Sequence, residues 1–146
     1  MSATPIDTPA TPQAEGHELV EHWRAVFRHS AGRLGSQWLT ALHEQREILG
    51  WRTGTPPRVV VPPKDFGTKG EFIEVGPGAR LLAFAPADWV AEPGGPGVLG
   101  LVMLDGADTP LYARVLGASP KTGMRLTACI AETPAGTGAD LWFEAA

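Results

Sequence analysis

The sequence predicts a mainly β protein with helices near its N-terminus. The chain has 18 glycines and 14 prolines among 146 residues, which is typical of many turns between short strands. Apolar residues recur at helical spacing only before Ile48. Beyond Gly70 they alternate with polar residues or form apolar runs, as strands require.

The first 29 residues predict a tail and a short helix. Residues 1–15 are rich in Ser, Thr, Pro and Ala and hold little to bury, so a disordered tail is expected. The segment His17–His29 then predicts an amphipathic helix that must pack on the rest of the chain or on a partner. Its apolar stripe consists of Leu19, Val20, Trp23, Val26 and Phe27.

A second helix is predicted over Gln37–Glu47, with Ser36 as its N-cap and Gly50 as its stop. Its apolar stripe contains Trp38, Leu39 and Leu42. Four histidines lie in this helical front, and none has the i, i+4 spacing of a helical metal pair. They are predicted to face solvent.

The segment Ile48–Gly67 (ILGWRTGTPPRVVVPPKDFG) predicts a β-hairpin knuckle. A turn at Thr53-Gly54-Thr55 leads through Pro56-Pro57 to the β-branched run Val59-Val60-Val61, and a second turn follows. Paired knuckles of this kind usually carry Cys pairs that share a metal ion, and this segment contains neither Cys nor His. We expect proline rigidity and the packing of Trp51 and Phe66 to hold its shape.

The remainder predicts short strands separated by Gly-rich turns, as in a small barrel or a sandwich. Asp105-Gly106 is a strong hairpin signal within it. The candidate strands are Glu71–Val75, Ala79–Ala85, Val98–Leu104, Leu111–Leu116, Met124–Glu132 and Asp140–Phe143.

Three short segments resemble the family called domain of unknown function 35 (DUF35). They are Ile48-Leu49-Gly50-Trp51, then Pro56-Pro57-Arg58, then Val61-Pro62-Pro63-Lys64, and the resemblance runs from about Ser36 to the C-terminus. It implies N-terminal helices, a rubredoxin-like zinc ribbon and a five-stranded OB-fold barrel. The expected division is a tail (1–15), helices (16–49), a degenerate zinc-ribbon-like knuckle (50–70) and the barrel (71–146). Val61 and Lys64 stand where the family has its second Cys pair, so we predict no zinc and no other cofactor.

Composition narrows the possible functions. The formal net charge of −4 and the scattered basic residues argue against nucleic-acid binding. The single cysteine excludes an internal disulfide, and no apolar run is long enough to cross a membrane. With no secretory signal visible, a cytoplasmic location is expected.

No self-sufficient active site is visible, so no catalytic residue is assigned and whether the chain is itself an enzyme stays open. Cys129 lacks a local histidine and predicts a buried, inert thiol. The Gly-rich stretches match neither a P-loop nor a dinucleotide fingerprint.

The resemblance implies a non-catalytic accessory subunit of a thiolase-like acyl-CoA enzyme. Such a complex would cleave or form carbon–carbon bonds on a β-keto or β-hydroxy acyl-CoA. The expected partner interface consists of Leu19, Trp23, Phe27, Trp38, Leu42, Trp51, Arg58 and Phe66. The cations expected to suit the phosphates of CoA are Lys64, Lys69, Arg80, Arg114, Lys121 and Arg125.

Three alternatives remain open. The chain could be a stand-alone module that binds acyl-CoA or an acyl carrier. It could be a single-strand nucleic-acid-binding OB-fold, which its few barrel aromatics and negative charge disfavour. It could also be a small hydrolase or dehydratase with an unrecognised site.

Overall fold

A computed structural model describes residues 28–86, 97–117 and 119–146. The first predicted helix, His17–His29, lies almost entirely outside these residues, and so does the predicted tail. Within the described residues no helix has the length and apolar character needed to span a membrane.

One helix, α1 (Gly32–Thr40), continues into a π-helical turn at Ala41–Gln45. It begins before the predicted start because the Gly32 N–H already finds an acceptor in the Ser30 hydroxyl, at 3.1 Å. Ser36 is therefore inside the helix and does not cap it. The turn ends at Arg46, whose φ of 57° is left-handed, and Gly50 lies in the following strand instead.

Three antiparallel strands form a small sheet in the order β2-β1-β3. They are β1 (Leu49–Thr53), β2 (Arg58–Val60) and β3 (Gly70–Glu74). The predicted hairpin is present, since Trp51 pairs with Val60 and Thr53 with Arg58. However, β3 pairs with β1 and with no barrel strand, so the barrel does not begin at residue 71 as predicted. We call this sheet the ribbon sheet.

Five strands close into a barrel in the order β4-β5-β6-β8-β7. They are β4 (Gly78–Pro86), β5 (Gly97–Leu104), β6 (Leu111–Leu116), β7 (Arg125–Ile130) and β8 (Leu141–Ala145). Strands β6 and β8 run parallel, and the other neighbouring pairs are antiparallel. The closed barrel excludes the sandwich and is consistent with the predicted OB-fold.

The helix, the ribbon sheet and the barrel share one hydrophobic core. Alternation along β6 is as predicted: Leu111, Ala113 and Val115 point inward and are buried, whereas Tyr112 is exposed. The core cluster combines helix residues (Trp38, Leu42), ribbon residues (Ile48, Val59, Val61, Val75) and barrel residues such as Leu81, Val102, Leu126 and Phe143. The ribbon sheet is therefore packed on the barrel and is not an independent arm.

Candidate functional site

The end of the ribbon sheet carries a groove of about 460 Å³, which we call the ribbon groove. Its most exposed large side chain is Phe66, with 61% of its surface accessible, in the loop between β2 and β3. Arg58 stands beside it at the start of β2. The remaining walls are Thr53, Gly54, Thr55, Pro56, Val60, Thr68 and Thr109. An exposed aromatic ring next to an arginine is the combination that protein interfaces favour.

Hydrogen bonds to the barrel fix the β2 wall of this groove. Val59 N–H donates to Asp108 Oδ2 at 2.7 Å, and Asp108 N–H donates to the Val59 carbonyl at 2.8 Å. Val61 N–H donates to Thr109 Oγ1 at 2.8 Å. The outer edge of β2 is thus satisfied by the loop between β5 and β6, so it is not open for pairing.

A second set of bonds holds the wall that carries Phe66. The Thr53 hydroxyl donates to the Lys69 carbonyl at 2.8 Å and accepts a short hydrogen bond from the Thr68 hydroxyl. Gly67 N–H donates to Asp65 Oδ1 at 2.9 Å. These bonds tie the loop that carries the exposed Phe66 ring to β1 and close a turn around it.

The ribbon groove lies in a locally basic part of an acidic protein. Residues 52–69 contain four basic side chains and one acidic side chain, Asp65. The Gly67 N–H and then the Arg33 guanidinium, 3.2 Å away, hold the pKa of the Asp65 carboxyl below its usual value. Asp65 is thereby paired with Arg33. The other exposed charged residues near the groove are Arg58 on β2, Lys64 and Lys69 in the loop that carries Phe66, and Asp108, whose carboxylate accepts the Val59 N–H.

The zinc ion implied by the family resemblance does not fit the residues of the two knuckles. Zinc in a structural site needs four N or S ligands. The first turn offers Thr and Gly, and the second offers Val61, Pro62, Pro63 and Lys64. Across the described residues there is also no cluster of three His, Cys, Asp or Glu side chains that could hold a metal. The Thr53–Thr68 pair and the Asp108 and Thr109 bonds supply cross-links between these segments instead.

Only two of the predicted interface residues are surface residues of the described chain, namely Arg58 and Phe66. Trp38, Leu42 and Trp51 are all buried, so a partner cannot reach their side chains, and the prediction for these three is corrected. Leu19, Trp23 and Phe27 lie outside the described residues.

Phe72 has the packing role that was predicted for Phe66. Its ring meets the Trp51 ring edge-on, with centroids 5.0 Å apart, and the Arg33 guanidinium covers Trp51 at 5.7 Å. The exchange follows from strand pairing, because Phe72 lies directly opposite Trp51 on β3. Because Phe72 fills the position against Trp51, the Phe66 ring is not needed there and lies on the surface.

The six cations predicted for CoA do not form one site. Lys64 and Lys69 flank Phe66 in the ribbon loop. Arg80 and Arg125 are opposite one another on β4 and β7, and Lys121 lies in the turn before β7. Arg114, on β6, lies over the Trp142 ring at 6.0 Å and is opposite Leu99 of β5.

Arg125 donates two hydrogen bonds to the Asp105 carboxylate, from Nη1 to Oδ1 at 2.9 Å and from Nη2 to Oδ2 at 2.5 Å. The hydrogen bond from Arg125 is the main reason that the pKa of Asp105 lies below its usual value. The ion pair passes directly over Gly78, where a β-carbon would come within 2.4 Å of Asp105 Oδ2. Arg125 is therefore less available to a ligand than Arg80 is.

Cys129 is unsuited to nucleophilic chemistry, although it is half-buried and not buried as the sequence predicted. Burial, followed by the hydrogen bond from its thiol to Glu144 Oε2 at 3.3 Å, raises its pKa to about 11. The thiol is therefore protonated at neutral pH, and the thiolate is the reactive form.

Replacing Glu144 with glutamine is expected to raise the alkylation rate of Cys129 roughly threefold at pH 8, because a charged acceptor then no longer disfavours the thiolate. Iodoacetamide labelling of the intact protein measures this rate. Glu132→Gln serves as a control, because Glu132 carries an exposed carboxylate in the loop that follows β7, whereas the Cys129 thiol donates to Glu144. Equal rates for the two variants would contradict the assigned role of Glu144.

Asp108, Thr109 and Thr68 were not anticipated as contributors to the groove. Asp108 and Thr109 lie about fifty positions beyond β2, and the sequence around them indicates only a turn. Their contribution depends on how the loop between β5 and β6 meets the ribbon sheet, for which the sequence carries no local signal.

No protein-family profile matches the sequence, and no curated protein matches it significantly. Among solved structures, the chain resembles one in the Ltp2-ChsH2(DUF35) aldolase with a TM-score of 0.58 and 19% identity. That match covers 81% of this chain and 98% of the other. A protein of unknown function from the DUF35 family of Sulfolobus solfataricus also gives a TM-score of 0.58, with 18% identity over 79% of this chain and 87% of the other. The chain therefore contains a DUF35-like domain, with the fold that these two structures share.

Proposed function

We propose that this chain is a non-catalytic accessory subunit of a thiolase-like acyl-CoA enzyme and docks through the ribbon groove. The observation that carries the proposal is Phe66, an exposed ring on a firmly held loop beside Arg58. The fold likeness to a chain of the Ltp2-ChsH2(DUF35) aldolase supports it, because two proteins are named in that enzyme. The catalytic Cys and His would belong to the partner, and the reaction would cleave or form a carbon–carbon bond on a β-keto or β-hydroxy acyl-CoA.

Electrostatics indicates the character of the partner surface. Arg58 lines the ribbon groove, and Lys64 and Lys69 flank Phe66 along the chain, so an acidic surface with an apolar pocket for the ring would complement the ribbon groove. Lys64 and Lys69 are also the CoA-binding candidates nearest this surface. We propose that they contact the phosphates of an acyl-CoA bound by the partner, where two lysines can act as point charges.

The first test is to purify the tagged full-length chain from extract of its native cells and identify what accompanies it. A stoichiometric thiolase-like protein would support the proposal. A monomer that binds CoA esters alone would replace it with the stand-alone acyl-CoA or acyl-carrier module. A monomer that binds neither would leave only the likeness of fold.

Phe66→Ala is expected to weaken the complex with the co-purified thiolase-like protein about tenfold, as for a central interface aromatic. Biolayer interferometry with the purified partner measures this. Tyr112→Ala is the matched control, because Tyr112 is a more exposed aromatic residue on the barrel, at 74%. If Tyr112→Ala weakened binding and Phe66→Ala did not, the ribbon groove would be the wrong surface.

A further inference from the structure

The outer face of β4, β5 and β6 carries two shallow clefts that lie end to end. One, of about 350 Å³, is lined by Arg80, Leu82 and Met103 together with the turn Asp105–Ala107. The other, of about 230 Å³, is lined by Ala83, Ala85, Leu99, Leu101, Phe84 and Tyr112. They adjoin because Leu82 precedes Ala83 on β4 and because Met103 and Leu101 are successive outward residues on β5. We call the combined surface the barrel trough.

A β-bulge shapes the trough. The register between β4 and β5 shifts between Leu81 and Ala83, which gives β4 one extra residue there. Leu82 is this extra residue, and its half-buried side chain lines the cleft at the Arg80 end. Beyond it, Ala83 and Ala85 present only methyl groups beside the larger Leu101 and Leu99, so a hollow remains along β4.

The trough is mainly aliphatic along its length. Arg80 lies at one end, and Arg114, which lies over the Trp142 ring, is opposite Leu99 near the other end. The outward residues of the trough on β4, β5 and β6 include no Asp or Glu, although the whole chain has a net charge of −4.

At the Arg80 end, the nearby Asp105 carboxylate is already bound by both terminal nitrogens of Arg125. Arg80 is exposed, and within the described ranges no hydrogen bond or salt bridge involves it. Its positive charge does act on Asp105 and helps to lower the pKa of that carboxyl, after the larger effect of Arg125. Because Arg125 takes both carboxylate oxygens, the Arg80 guanidinium can still bind an anion.

From this arrangement we propose that the barrel trough binds a linear aliphatic anion, with its head group at Arg80 and its chain along Leu82, Leu101 and Leu99. Met103, opposite Arg80, and Leu99 at the other end are four residue steps apart on β5, a length of about 13 Å, which suits a medium-length alkyl chain. The aliphatic lining favours an alkyl chain over stacked bases, which need aromatic platforms in a basic groove. This ligand would belong to the chain itself and does not depend on docking to an enzyme.

The test is a titration of the full-length chain with sodium dodecanoate below its micelle concentration, followed by amide NMR. Saturable shifts confined to β4, β5 and β6 are expected. Leu101→Glu should weaken binding at least tenfold, because it removes apolar contact and adds an opposing charge. Arg80→Gln should weaken it about threefold, as expected for an exposed ion pair. Lys121→Gln, an exposed cation outside the trough, is the control and should change nothing.

Head-group dependence separates this site from general detergent binding. Dodecyl maltoside has the same chain without the charge, so it should bind about threefold more weakly and be insensitive to Arg80→Gln. Amide spectra of each variant without ligand establish that the fold is retained. The proposal is overturned if no saturable shift occurs, if Arg80→Gln affects both ligands equally, or if binding occurs only to anionic phospholipid vesicles. Because only this chain and the probe are present, none of these results bears on the accessory-subunit proposal.

Discussion

Replacing Gly50 with alanine is expected to lower the free energy of unfolding by about 3 kcal/mol, the upper part of the range for overpacking a core. A β-carbon at Gly50 would lie 2.5 Å from Val59 Cγ1, with Val61 Cγ2 at 3.2 Å and Val75 Cγ1 at 3.3 Å. All three valines are buried in the core where the ribbon sheet packs on the barrel. None of these short, branched side chains can move away by changing a distant torsion. Urea denaturation followed by tryptophan fluorescence measures the loss.

A second substitution shows whether the clash is the cause. Val59→Ala removes the nearest methyl group and should itself cost about 2 kcal/mol through the cavity it leaves. In the double variant the new methyl group partly fills that cavity, so the total loss should be about 2 kcal/mol and not the sum of the two. Additive losses would show that Gly50 is required for a reason other than its distance from Val59.

Replacing Asp140 with alanine is expected to cost about 2 kcal/mol, since the carboxylate accepts three backbone hydrogen bonds. Ala135 N–H donates to Oδ1 at 2.9 Å, and Gly136 and Thr137 donate to Oδ2 at 2.8 and 3.0 Å. The side chain is buried at the end of the loop between β7 and β8, so it organises that connection. Glu132→Ala, which removes an exposed carboxylate near the same loop, is the control and should cost less than about 0.5 kcal/mol.

The loss of stability caused by Asp140→Ala should disappear in acid. Burial alone would raise the pKa of Asp140, but the bonds from Ala135, Thr137 and Gly136 outweigh it, with help from nearby His43, and the pKa lies below its usual value. A depressed folded-state pKa means that the stabilisation is complete above about pH 3.9, the unfolded value, and is lost as the pH falls through the folded value. Denaturation of both proteins at pH 7 and at pH 2.5 tests this. If the two proteins differed in unfolding free energy by the same amount at pH 7 and at pH 2.5, the ionised carboxylate would be excluded as the source of that difference.

The local sequence pattern was sufficient to predict some of the strands and the helix. Along β6 the alternation of apolar and polar residues separated the two faces of the strand correctly, because adjacent residues of a strand point to opposite sides. The hairpin at Trp51 and Val60 followed from a Gly turn and a β-branched run. The stripe of α1 gave Trp38 and Leu42 as its packing residues, but not the surface against which they pack.

Residues that depend on distant partners were predicted less well. Trp51 and Phe66 were each expected both to pack in the knuckle and to lie at a partner interface. Trp51 is buried and packs as predicted, but the pairing of β3 with β1 places Phe72 against it, whereas Phe66 is exposed. A five-residue alternating strand such as β3 carries no indication of which sheet it will join. The bulge that forms the barrel trough has no local signal in the sequence either.

Sequence alone was enough to predict a helix ahead of the strands, a hairpin without metal ligands and then short strands around a core. These features depend on turn chemistry, on periodicity and on the residue types in the knuckles, all of which are local. Only the tertiary structure decided which side chains are surface features. Contacts between residues far apart in the chain bind the Asp105 carboxylate to Arg125 and place Phe72 against Trp51, while Phe66 lies on the surface. Strand pairing fixes such contacts, and the geometry of a closed barrel sets that pairing.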